Sequence, residues 1–297
     1  MSPLRRHAIS FALAIAILAF TLGLRVVSAA DRYWIGASGN WSDTANWSDT
    51  SGGSGGSSEP GASDRAIFDS SSGNGSINKN VSIGGLQLAA DYAGTLTQVD
   101  PYTLTIGSQR FVQEGGTFLG GTNQITLTHF DRSDGTFTAG AQWIDVATTW
   151  TNDGVAFDAG DSTIYFHNAG GATIYISNSP PLNNVRLGNT SSSTDRTITL
   201  ASGSFIEVRN LLDLIGNSGR NMAVSGGRIE VSGDVKVDEE DYTCAVWLVG
   251  TNHQTLTGRG GLIVTFHVNK TNGTVSLDGT TQFRTFNVWQ GDLDPGT

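Results

Sequence analysis

Three aspartates carry the spacing that could do chemistry. Asp134 and Asp153 stand 19 residues apart, each just before a glycine, and Asp158 follows close behind. Solenoid enzymes that cut polysaccharides set two or three carboxylates on neighbouring coils, so that an acid and a base flank one glycosidic bond. The place before a turn glycine is also where Asp bonds its own backbone, and that turn reading is the stronger. A lyase would need Lys or Arg as a base beside a cation, and the chain holds only Lys79, Lys236 and Lys270. His129, His167, His253 and His267 form no closely spaced metal pair. Calcium with oxygen ligands suits Asp238-Glu239-Glu240-Asp241, or Asp292 with Asp294, although a charged turn in water is the plainer reading. Trp34, Trp41, Trp47, Trp143, Trp150, Trp247 and Trp289 could stack on sugars, but as packing mass they fit a core more simply. Gly52-Gly53-Ser54-Gly55-Gly56 matches a nucleophile-elbow pattern without the strand before it and the helix after it that such an elbow needs. No catalytic, cofactor-binding or metal-ligating residue is therefore assigned.

The elements that must position any such residue follow from composition. Gly makes up 39 of 297 residues, close to twice the roughly 7% of ordinary proteins. With few long charged side chains to favour helices, an all-β chain with many turns remains. Residues 1–30 hold Arg5 and Arg6, an apolar stretch from Ala8 to Leu24, then Ser28, Ala29 and Ala30. That order is the order of a secretory signal peptide, with an uncleaved anchor as the alternative. Beyond it lie 14 basic and 27 acidic residues, a net charge of −13. Such a chain lacks the positive footprint that nucleic acid or an anionic membrane surface would select. Cys244 stands alone, so an exported fold rests on packing and backbone pairing rather than on a bridge; it reads as a small buried residue.

Apolar-x-apolar pairs recur from Leu86/Leu88 through Leu104/Ile106, Ile125/Leu127, Ile144/Val146, Ile164/Phe166, Val185/Leu187, Ile206/Val208, Ile229/Val231, Val246/Leu248, Val264/Phe266 and Phe286/Val288. Their steps run from 17 to 23 residues and average 20. A second marker, Gly116-Thr117-Phe118, Gly135-Thr136-Phe137 and Gly154-Val155-Ala156-Phe157, keeps steps of 19. Each pair is a strand of period two, and stacking one such turn on the next buries the repeated apolar face as a ladder. The expectation is a right-handed β-solenoid (parallel β-helix) of about 20 residues per coil, roughly ten coils and some 50 Å long at about 4.8 Å per coil. A β-sandwich is the alternative; it predicts strands every 8 to 12 residues and no shared longer period.

Tyr33-Trp34-Ile35-Gly36, Gly39-Asn40-Trp41-Ser42-Asp43-Thr44-Ala45-Asn46-Trp47-Ser48, Pro60 and Ala66-Ile67-Phe68-Asp69 resemble the opening module of large bacterial secreted and cell-surface repeat proteins. The Gly-Thr-Phe turns and Asp161-Ser162-Thr163-Ile164-Tyr165-Phe166 are similar to their β-solenoid repeats and, more loosely, to filamentous haemagglutinin-type adhesins. The resemblance implies a place at the cell surface. Three units follow: a signal peptide over 1–30, a Trp-rich capping module with a Gly/Ser loop over 31–82, and solenoid repeats over 83–297. The chain reads as an exported, non-catalytic structural or adhesive module; a polysaccharide hydrolase or lyase, or a carbohydrate-binding module using Trp143 and Trp150, is the alternative. Its partners would be extracellular matrix, cell-surface or polysaccharide ligands, with no nucleic acid and no membrane beyond the signal segment. The last strand runs into a turn without a closing segment, so further coils are expected after an open edge carrying Phe286 and Val288.

Overall fold

The computed structural model describes residues 29–295 except 141–142, 154–155, 168–172, 178, 189–195, 217–220 and 239–240. The signal segment up to residue 28, Gly154-Val155 of the third turn marker and Glu239-Glu240 of the acidic run therefore lie outside the described residues. The chain is all-β, with 62% of it in strands and no α-helix among the described residues, wound as a β-solenoid of about 9 turns with roughly 21 residues per turn.

Strands stack in three parallel ladders. The first runs through Arg65–Phe68, Gly85–Leu88, Phe111–Gln113 and the ends of Ile125–Arg132 and Trp143–Asn152, then Thr173–Ser177, Arg196–Leu200 and Asn221–Ser225. The second runs through Val81–Ile83, Leu104–Ile106, the starts of Ile125–Arg132 and Trp143–Asn152, Thr163–Phe166, Leu182–Gly188, the end of Phe205–Ile215 and Asp234–Val237. The third is a separate six-stranded sheet in the N-terminal coils, Ser38–Asn40 to Phe157–Asp158. In later coils the same place in the turn is taken by the start of Phe205–Ile215, Arg228–Val231, the end of Asp241–Leu248 and Phe266–Val268, all now part of the large sheet.

This arrangement both meets and corrects the apolar register. Leu104, Ile125, Ile144, Ile164 and Val185 are successive partners, as their spacing predicts. Leu86, however, belongs to the first ladder, between Ala66 and Phe111. Val185 pairs with Leu212 rather than Ile206, and Val246 pairs with Phe266 rather than Val264. Each coil carries up to three apolar pairs, one per ladder, so a period of about 20 survives even when consecutive pairs are taken from different sides.

Corners between ladders turn on glycines such as Gly135, at φ 84, where an added Cβ would sit 2.6 Å from the Gly115 carbonyl of the coil below. Glycine is required there both for the left-handed backbone and for the close approach. At the N-terminal end, Asp31–Trp34 pairs in parallel with Arg65–Phe68 and antiparallel with Trp47–Ser48, which covers its outer edge. Bare edges invite pairing with other molecules. Trp34, Trp41 and Trp47 pack there over Phe68, with ring centroids 5.5, 6.3 and 6.1 Å from it. Residues 31–82 thus supply the opening strands of all three ladders. In the last coil Phe286 stacks on Phe266 at 5.4 Å, while Val288 is largely exposed.

Two cations lie inside. Arg132 donates to Gln113 Oε1 (2.7 Å), Asn152 Oδ1 (2.7 Å) and the Gly135 and Ala156 carbonyls, and burial pulls its pKa down to about 10. Lys270, also lowered by burial, donates to Gln254 Oε1 at 2.6 Å, and Gln254 in turn donates to the Val231 and Gly233 carbonyls. A buried polar group is tolerated where its partners are supplied, and both networks donate to backbone carbonyls as well as to a buried side-chain amide.

Candidate functional site

On the second ladder the residue between each apolar pair points outward, one coil above the last. Thr126, Asp145, Tyr165, Arg186, Asp213, Lys236 and Thr257 are successive partners in one row. The row forms because period-two strands send every second side chain out and because the parallel register holds like positions together. Side chains beside it complete a surface. Gln124 Nε2 donates to Asp145 Oδ2 at 2.6 Å, and His167 Nε2 lies 3.8 Å from the same oxygen. Arg186 sits 5.3 Å from the Trp143 ring and 5.5 Å from Tyr165, with its Nε 3.3 Å from Asp213 Oδ2. Arg259 pairs with Asp238 at 3.2 Å. Trp143 stands edge-on to Tyr165 at 6.1 Å and is 42% exposed.

Burial raises the Asp145 carboxyl above the usual range against the opposing pull of His167 and the Gln124 bond. Asp213 is raised by burial too, with Arg186 opposing. Both carboxylates are partly buried, with 13% of the Asp145 side chain and 26% of the Asp213 side chain exposed. Among the described residues, shallow hollows of about 230 Å3 beside Ser179, Ser202 and Phe205 and about 220 Å3 beside Trp41, Glu59 and Lys79 lie away from this row.

The residues singled out by spacing fall in other places. Asp134 and Asp158 are exposed at corners and accept from the Gly135 and Gly160 amides, at 2.7 and 3.0 Å, as turn residues do. Asp153 is exposed, and its amide donates to the Arg132 carbonyl at 2.9 Å. His129 bonds Thr149 on the outside of the first ladder, and His253 is exposed. Among the described residues no three His, Cys, Asp or Glu side chains converge as a metal group, and Asp292 and Asp294 are exposed. Trp34, Trp41, Trp47 and Trp150 are core, whereas Trp143 and Trp289 reach solvent. Cys244 is buried, and its thiol is pushed up to about 12, far from the thiolate a nucleophile needs.

The Asp145–Asp213 row was overlooked because its members hide inside the apolar pairs: Ile-Asp-Val, Ile-Tyr-Phe, Val-Arg-Leu, Leu-Asp-Leu, Val-Lys-Val. Reading the middle residues down one ladder would have found it. Fold and surface together define a filled β-solenoid with a continuous polar and aromatic outer face. Compared with known proteins, the chain matches no family model, no curated protein and no solved structure.

Proposed function

We propose that the chain is an exported, non-catalytic β-solenoid module of a bacterial surface or extracellular protein, a rod that presents its outer face for adhesion. The observation that carries this reading is the placement of Asp145 and Asp213, the two carboxylates of the row that burial raises, three coils apart. At about 4.8 Å per coil they stand about 14 Å apart, beyond the roughly 5 to 9.5 Å at which paired carboxylates cleave glycosides. Export rests on the composition of residues 1–30, and the adhesin-like setting on the Trp-rich opening.

A second reading, a carbohydrate-active β-helix, is favoured by one feature: Asp145 with its raised carboxyl beside His167. Incubation with a panel of plant and bacterial polysaccharides separates the two. The leading reading expects retention on some of them without new reducing ends or unsaturated products; release that Asp145→Asn abolishes would establish the enzyme. Fractionation of cells expressing the full chain tests export, and a cytosolic protein retaining its first residues would contradict it.

A further inference from the structure

We infer that the row from Trp143 to Arg259 binds a neutral, extended polysaccharide lying along the solenoid axis; this rests on the adhesive reading above and names its ligand class. Four observations converge on it. First, successive outward residues recur once per coil, at about 4.8 Å, a repeat close to the length of one sugar unit in an extended chain. A ligand with that repeat meets an equivalent position at every residue.

Second, the charges cancel along the row. Asp145, Asp213 and Asp238 alternate with Arg186, Lys236 and Arg259, and Arg186–Asp213 and Arg259–Asp238 are already ion pairs. A polyanion would find no net attraction there, and it would approach a chain that is acidic overall. Hydroxyl groups, which both donate and accept, match a surface that alternates carboxylates with cationic donors. Third, Trp143 offers an apolar ring at 42% exposure among these polar groups, the mixture of flat carbon surface and polar edge that a sugar ring presents in return. Fourth, the ring is held before any ligand arrives, by the Arg186 guanidinium at 5.3 Å and by a T-shaped contact with the Tyr165 ring at 6.1 Å. A platform already fixed loses little freedom on binding.

The second exposed aromatic region, Trp247, His267 and Trp289 on the third ladder of the last coils, supplies the internal control. It has stacked rings and its own ion pairs, Arg228–Glu230 and Arg209–Glu207, but along its row Glu207 and Glu230 are direct neighbours and Trp247 follows, so carboxylates there do not alternate with cations from coil to coil.

The test is affinity electrophoresis of the full chain in gels containing hydroxyethyl cellulose, soluble arabinoxylan or polygalacturonate, repeated with Trp143→Ala, Arg186→Ala and Trp289→Ala, each checked by circular dichroism for an unchanged β spectrum. Retardation by a neutral glycan is expected to weaken by about tenfold or more in Trp143→Ala, the loss typical of a buried aromatic anchor. It should be unchanged in Trp289→Ala and insensitive to added salt. Retardation by polygalacturonate alone, or equal losses from Trp143→Ala and Trp289→Ala, would overturn the inference while leaving an adhesive rod in place. Absence of binding to every glycan would overturn it as well, and matrix or cell binding would then decide the broader proposal separately.

Discussion

Rings line the interior of the N-terminal coils and the exterior of the C-terminal ones. In the first region Phe111, Phe130 and Trp150 stack at 5.3 and 4.2 Å on the first ladder, and Phe118, Phe137 and Phe157 stack at 4.9 and 5.4 Å on the third. Those two stacks face each other edge to face, as at Phe111–Phe118, 5.8 Å apart, and Arg132 closes the corner between them. From Arg196 onward the buried ladder is mostly aliphatic: Ile198, Leu200, Ile206, Val208, Leu212, Leu214, Ile229, Val231, Val235 and Val237. The rings there move outside, as Phe205, Arg228 and Trp247 in a cation-aromatic stack, with His267 on Trp247 at 4.2 Å. Tyr242 and the cluster of Phe266, Phe283 and Phe286 are inward exceptions. The stacks form where steps between like residues hold at 19 and 20, from Phe111 to Trp150 and from Phe118 to Phe157. The leading position of the second ladder is aliphatic both at the regular steps from Leu104 through Ile125, Ile144 and Ile164 to Val185 and at the step of 27 to Leu212. Planar rings need a constant register to meet face to face, whereas branched aliphatics pack against many neighbours and suit long strands.

The comparison breaks most visibly at the N-terminal corner. Arg132→Ala removes the donor to Gln113 Oε1, Asn152 Oδ1 and the Gly135 carbonyl, while the Ala156 carbonyl keeps the Phe137 amide; at about 1–3 kcal/mol for each buried acceptor left unsatisfied, this should cost about 3–5 kcal/mol in urea unfolding. Ile125→Asp, a bare charge in the second ladder, should cost at least as much; Thr126→Asn on the opposite face should be nearly neutral. Thr126→Asp is a poorer control, because Asp145 stands directly across from it and like charges opposed on neighbouring strands repel. If Ile125→Asp and Thr126→Asn shift the melt equally, the inside and outside of the ladder have been exchanged.

Ring deletions sharpen the contrast further. Phe137→Ala removes a ring stacked on both sides and should cost about 3–5 kcal/mol, while Trp247→Ala, outside, should cost about 1 kcal/mol or less. Similar losses would show that the C-terminal rings are structural too. A smaller effect comes from pH. Burial holds His267 below the ordinary imidazole value, and burial with Arg110 nearby does the same to His129. The unfolded chain then takes up these protons first, so stability present above about pH 6.5 falls as pH drops through the lowered folded values. His129→Gln and His267→Gln should each flatten the decline in melting temperature between pH 7 and 5; an unchanged slope in the double variant would remove the histidines from that account. Smallest of all, Cys244 should resist thiol reagents at pH 8 in folded protein and react on unfolding, and rapid labelling of the native chain would show that the aliphatic interior opens.

Much of this architecture is legible in the sequence because a ladder repeats its own signature. Leu104 to Val185 declares the coil, and the Gly-Thr-Phe turns mark the corner and the ring stack. Three ladders per coil were not legible, since an Ile-x-Val pair is written alike on every side. Only hydrogen-bond partnership tells Leu212 from Ile206 as the neighbour of Val185. Gln113, Arg132 and Asn152 were hidden for the opposite reason: a polar residue at the inward position of a strand reads as outward until its corner partners are known. The candidate face was missed through its modest residues, each an ordinary polar side chain until the coils align them.

Disulfide trapping tests the ladder assignment most directly. Partners on adjacent parallel strands have Cα atoms within the roughly 4.4–6.8 Å that a disulfide spans. In a Cys244→Ala background, Arg186→Cys with Asp213→Cys should oxidise to an intramolecular bridge under mild conditions, because these residues are paired across the coil step. Arg186→Cys with Glu207→Cys should not, since Glu207 belongs to the third ladder beside Arg228–Val231. Efficient bridging of 186 to 207 with none between 186 and 213 would contradict the three-ladder coil and restore a single apolar ladder at a uniform 20-residue step.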